Sequence, residues 1–97
     1  MRRTKIISTF GPSISEPKIL EEVCKFSDVI RVNLAPGTWD EGEEYNHKKN
    51  IRLIQKISKD LNKPVGIQVD LRGNKIRIGG FKNHFIELED ASEIDVI

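Results

Sequence analysis

Two apolar stretches carry side chains that their surroundings do not explain. In DVIRVN (28–33) an apolar run holds Arg31 and Asn33, and in VGIQVD (65–70) a second run ends on Asp70. A guanidinium offers a planar fork of N–H donors that matches phosphate or carboxylate oxygens. An amide oxygen and a carboxylate are hard ligands for a cation. Arg77 adds a second guanidinium within a basic segment. Gathered at one rim, these groups would hold a phosphoryl group and neutralise its charge during transfer. Plainer readings stand beside this one. An arginine in a strand also faces solvent or pairs with an acid, an asparagine before a turn makes turn contacts, and an aspartate ends a strand as a cap.

Whether these residues meet depends on the elements that carry them. TKIIST (4–9) is rich in β-branched residues and stops at Gly11-Pro12, so it reads as a buried strand. A helix is expected over 15–26, with Ser15 as N-cap, Pro17 in the first turn, and Ile19, Leu20, Val23 and Phe26 on one apolar face. The second strand is 28–33. From about Glu43 to Asn62 the apolar residues Ile51, Ile54, Ile57 and Leu61 recur at helical spacing, with Pro64 just past the end. The third strand is 65–70. This β-α-β-α-β alternation with short connections implies parallel strands and right-handed crossovers. In such folds binding groups collect at the carboxyl ends of strands, where Arg31, Asn33 and Asp70 stand.

Beyond Asp70 the character changes. Residues 71–84 carry four cations (Arg72, Lys75, Arg77 and Lys82) and no acid, whereas 85–97 carry five acids and no cation. The latter segment alternates around Asp90-Ala91 as a β-hairpin would, and Gly79-Gly80 is the candidate hinge. Three parallel strands, two helices and a hairpin do not close a barrel. The chain is therefore expected to be the amino-terminal part of something larger.

Composition narrows the classes. The chain has 97 residues, 37% hydrophobic and 32% charged, which fits one small folded unit. Its formal net charge of +1 points to neither nucleic acid nor an anionic membrane as partner. One cysteine, Cys24, excludes an internal disulfide and fits a reducing cytoplasm. Cys24 lies near the helix's core face and reads as packing. His47 and His84 lack the paired ligands of a metal site. GGFKNHF is not followed by a helix, as a phosphate-binding glycine loop would be. Trp39 and Tyr45 are left open between stacking and packing. No stretch approaches the roughly 20 apolar residues of a membrane span, and MRRTKIIST lacks the apolar core of a signal peptide.

Three segments, in order and in approximate register, resemble the pyruvate kinase family: TKIISTFGPS (4–13), RVNLAPGT (31–38) with NIR at 50–52, and VDLRGNKIRIG (69–79). The resemblance implies a (β/α)8 barrel interrupted by a small inserted β domain. Residues 1–74 would begin the barrel and 75–97 would enter the insertion. It further implies phosphoryl transfer from phosphoenolpyruvate to ADP in glycolysis, with Mg²⁺ and K⁺, in a cytoplasmic protein that is a homo-oligomer when complete. By the same resemblance, Arg31 is the catalytic and substrate-binding residue that contacts the transferring phosphoryl group. Asn33 and Arg77 bind the nucleotide phosphates. Asn33, Asp70 and the carbonyl of Leu71 hold K⁺.

Four positions depart from the family pattern. Leu34 stands for its phenylalanine, Ala35 for the serine that ligates K⁺, Pro36 for a histidine near the nucleotide, and Leu71 for a threonine. Losing a hydroxyl ligand weakens a monovalent-cation site, so strong K⁺ dependence is not expected. The family's Mg²⁺-binding acids and its lysine have no counterpart within 97 residues, so this segment alone is expected to be inactive. The other reading is a non-catalytic truncated module that binds phosphate ligands or a partner chain through its sheet edge.

Overall fold

The computed structural model describes residues 3–35, 39, 46–74, 76 and 78–95. The elements follow as β1 (Ile7–Thr9), a 3-10 turn (Pro12–Ile14), α1 (Pro17–Phe26), β2 (Val29–Asn33), α2 (His47–Asp60) and β3 (Gly66–Asp70). The strands lie in the order β1-β2-β3 and all pair in parallel, as the alternation predicts. β1 is shorter than the strand expected over 4–9, because only Ile7, Ser8 and Thr9 lie opposite β2, at Val29, Ile30 and Arg31. Before them, Ile6 is tied instead to Asp28, whose carboxylate accepts from the Ile6 amide at 2.8 Å.

α1 begins with Pro17 at its first position, where a missing N–H costs nothing. Ser15 is not its cap. The hydroxyl of Ser15 donates instead to the Pro12 carbonyl at 2.9 Å, closing the 3-10 turn, and Glu16 occupies the cap position with no side-chain bond. The buried stripe is also narrower than expected. Leu20 and Cys24 are fully buried, whereas Ile19 and Phe26 are 43% and 69% exposed. A stripe that spans helical positions 19 to 26 is wider than the one surface α1 meets.

α2 begins at His47, with the Asn46 side chain accepting from the Lys49 amide at 3.0 Å. The earlier start expected near Glu43 lies outside the described residues. Ile54 and Ile57 are buried, and Ile51 and Leu61 pack against the same core, as their spacing predicts. The helix stops when Asn62 turns left-handed (φ 48°), a conformation that asparagine tolerates better than most residues.

β2 alternates half-buried and buried along Val29–Asn33. Ile30 and Val32 are fully buried in one cluster with Phe10, Leu20, Cys24, Ile54 and Ile57. Both helices therefore cover the Ile30/Val32 face, as two right-handed crossovers of one hand require. The residues between, Arg31 and Asn33, stand on the opposite face. Two further ties fix the end of the sheet where α1 turns into β2. The Ser8 and Ser27 hydroxyls lie 2.6 Å apart. Lys63, on the α2–β3 connection, donates to the carbonyls of Cys24, Lys25 and Ser27 at 2.7, 2.8 and 2.8 Å. An ammonium there satisfies the last carbonyls of α1 and complements its dipole.

Among the described residues of 71–95 the expected β-hairpin has no strands. The turn at Asp90-Ala91 is present, with Ala91 at φ 61° and the Ser92 amide bonded to the Glu89 carbonyl at 3.1 Å. Its apolar side chains are open to solvent: Phe85, Ile86, Leu88 and Ile94 are 56–67% exposed. Two isolated strands without a third or a helix beneath them gain too little burial to hold their pairing.

Candidate functional site

The three residues singled out first do meet. Register places Arg31 beside Gln68 and Asn33 beside Asp70, while Thr9 lies opposite Arg31 on the other neighbouring strand. Side chains alternate along a strand, so Thr9, Arg31, Asn33, Gln68 and Asp70 share the face opposite the helices. The helices take the apolar residues, and the polar ones are left together near the carboxyl ends of adjacent strands.

The guanidinium of Arg31 crosses from β2 to β3, where Nη2 donates to Asp70 Oδ2 in an ion pair. On its other side, Nη1 donates to the Thr9 hydroxyl oxygen at 3.5 Å. The Arg31 and Asp70 side chains are 31% and 43% exposed, so water screens the pair. Asn33 accepts from the Ala35 amide through Oδ1 at 3.1 Å. The Leu34 amide donates to the Asp70 carbonyl at 3.1 Å, which carries the β2–β3 pairing just past the strand end. Two of the plainer readings thus hold literally: Arg31 pairs with an acid and Asn33 makes a turn contact. Neither removes the other fact, that a cation, an amide and a carboxylate from two strands share one rim.

Arg77 and Pro36 lie outside the described residues. Leu71 follows β3 directly, with its side chain 75% exposed. The oxygen donors for a monovalent cation are few. Asp70 already accepts from Arg31, Asn33 from Ala35, and the Ala35 methyl supplies no oxygen. No cluster of three or more histidine, cysteine or acidic residues suited to a divalent ion occurs among the described residues.

The remaining candidates sort on burial. Cys24 is fully buried, and burial pushes its thiol above the ordinary range, partly offset by the charge of Lys63. A thiol so placed is a packing group. His47 is buried at the start of α2, its ring 5.2 Å from that of Trp39. Tyr45 lies outside the described residues. His84 sits in an exposed turn at φ 68°. A groove lined by Ser15, Pro17, Lys49, Asn50, Arg52 and Lys56 carries cations. It runs over the helix surface, on the far side of the sheet from Arg31. No helix among the described residues is long and apolar enough to cross a membrane.

Sequence reading missed Thr9 at the site and, at the opposite end of the sheet, Lys63 on the carbonyls that end α1. Thr9 could have been found, since it ends a strand as Asn33 and Asp70 do. Lys63 could not, because nothing local marks a lysine whose partners lie 36 to 39 residues away.

Comparison with known proteins covers the whole chain. The family description "Pyruvate kinase, barrel domain" matches residues 1–97. A pyruvate kinase of Staphylococcus saprophyticus is 38% identical over 96 residues, covering 99% of this chain and 16% of that protein. Pyruvate kinase 2 of a Synechocystis species is 40% identical over 83 residues, covering 84% of the chain and 13% of the relative. A pyruvate kinase of Sporosarcina psychrophila is 33% identical over 96 residues, covering 99% of the chain and 16% of the relative. The chain thus spans about a sixth of the length of the relatives it covers most fully.

Proposed function

The chain belongs to the pyruvate kinase family, and from that premise we propose that it supplies one wall of a site passing a phosphoryl group from phosphoenolpyruvate to ADP, yielding pyruvate and ATP in glycolysis. The observation that carries this reading is the shared rim: Arg31, Asn33 and Asp70 on one face, at the carboxyl ends of adjacent parallel strands, with the helices on the other. Strand ends of barrel folds are where catalytic groups collect.

Within this reading Arg31 contacts the transferring phosphoryl group. Its Nη2 is held by Asp70 and Nη1 donates to Thr9, and the fork keeps further N–H groups with which to receive an anion bidentately. Asn33 binds nucleotide phosphate through its amide N–H₂, because its Oδ1 is engaged by the Ala35 amide. Arg77 is assigned to the nucleotide phosphates by the family resemblance alone. Asp70 orients Arg31 and keeps the local charge near neutral until the anion arrives. The divalent ion and the groups that bind it come from outside residues 1–97, as does the remainder of the barrel. Mg²⁺, when bound, supplies the charge neutralisation that phosphoryl transfer needs.

The experiment is kinetic. In the full-length protein carrying this segment, Arg31→Lys lowers kcat roughly tenfold to hundredfold and raises the KM for ADP far less, since a point charge does not replace a planar donor fork. Unchanged kinetics would return Arg31 to the role of a strand residue paired with an acid. The 97-residue chain alone is expected to give no turnover in a coupled pyruvate assay; measurable turnover there would overturn the division of the site between this segment and the rest.

A further inference from the structure

The Arg31 side chain is long, and one bond does not fix it. The ion pair with Asp70 sets where Nη2 lies but leaves the guanidinium able to swing about that contact. A second contact comes from the other side. Nη1 donates to the Thr9 hydroxyl at 3.5 Å, and Thr9 is the residue of β1 in direct register with Arg31. The group is therefore held from both flanking strands, β1 through Thr9 and β3 through Asp70.

We propose that Thr9 is a positioning residue that fixes the plane of the Arg31 guanidinium. Its use in turnover rests on the phosphoryl-transfer reading above; the clamp itself does not. Three physical points favour threonine in this role. A β-branched side chain has few χ1 choices in a strand, so its hydroxyl stays where the backbone puts it. A group on a strand is held more closely than one on a loop. A hydroxyl accepts from the guanidinium without adding charge, so the positive charge left for an anion is not reduced. Gln68 is equally in register with Arg31 on β3, yet it makes no hydrogen bond to Arg31; the β3 contact goes to Asp70. The clamp is therefore a particular pairing, not a general consequence of register.

The test has a structural arm and a kinetic arm. In the structural arm, the ¹⁵N-labelled chain is followed through the Arg31 side-chain N–H signals at low temperature. The wild type is expected to show distinct, slowly interconverting Nη groups. Thr9→Val, which keeps shape and strand preference, is expected to merge or broaden them while the backbone amides of β2 keep their positions. Thr9→Ser is expected to restore them. Should Thr9→Val disturb the β2 amides, the Ser variant decides, together with Thr9→Ala. Restored signals with Ser and lost ones with Ala uphold the clamp; indistinguishable variants overturn it.

In the kinetic arm, full-length protein carrying Thr9→Val loses about threefold to tenfold in kcat, the range one neutral-acceptor hydrogen bond spans, with KM for ADP changed less than twofold and Ser rescuing the loss. Arg31 signals unchanged in Thr9→Val overturn the proposal whatever the turnover. Signals that merge without any change in kcat uphold the clamp and overturn only its use in turnover, leaving the phosphoryl-transfer reading to Arg31→Lys.

Discussion

Residues 3–70 and residues 71–95 are both rich in isoleucine, leucine and phenylalanine, and they dispose of them in opposite ways. In the first region Leu20, Ile30, Val32 and Ile54 are wholly buried between two helices and a sheet. In the second, Leu71, Ile76, Ile78 and Leu88 are 59–92% exposed, and no strand forms among the described residues. Apolar content alone does not make structure. The first region supplies both sides of its own interface, helix stripe against sheet face. Among the described residues, the second leaves these side chains exposed and gains no such burial.

Substitution followed by urea denaturation tests this contrast. The largest effect is expected for Ile30→Ala, which empties a fully buried position under both helices and costs about 2–5 kcal/mol. Lys63→Met keeps the stem but removes three bonds to the carbonyls ending α1, for a loss of about 1–3 kcal/mol. Asn46→Ala deletes the cap of α2 and costs about 1 kcal/mol. Leu88→Ala is expected to fall within about 0.5 kcal/mol of no change, since an exposed side chain has little burial to lose. A Leu88→Ala loss comparable to that of Ile30→Ala would show that the second region packs as firmly as the first.

The same contrast explains what could be read from sequence. Period-two and helical patterns are local, so β2 and the Ile54/Ile57 stripe of α2 were legible, and with them the placement of Arg31 and Asn33 on a face the helices do not use. Phe26 and Ile19 fall outside the buried stripe because spacing tells which residues share a helix face, not how wide a surface meets it. Ser15 was misread as a cap because a preceding 3-10 turn competes for its hydroxyl, and propensity does not register that competition. In 85–95 alternation and a turn are present, but no strand forms among the described residues. At the site, residue types were legible and their partners were not. That Arg31 reaches both Thr9 and Asp70 depends on strand register, which no single segment encodes.

The clasp made by Lys63 bears on the order of events during synthesis. Its three acceptors belong to the end of α1 and the approach to β2, all of them translated well before residue 63. As the chain leaves the ribosome, the first crossover emerges with its terminal carbonyls still facing water. It acquires its finished ending only when the second crossover has been made and has turned back towards β3. The amino-terminal unit is thus completed by a residue from its successor, and a nascent chain stalled before that lysine would hold a first helix whose last turn frays.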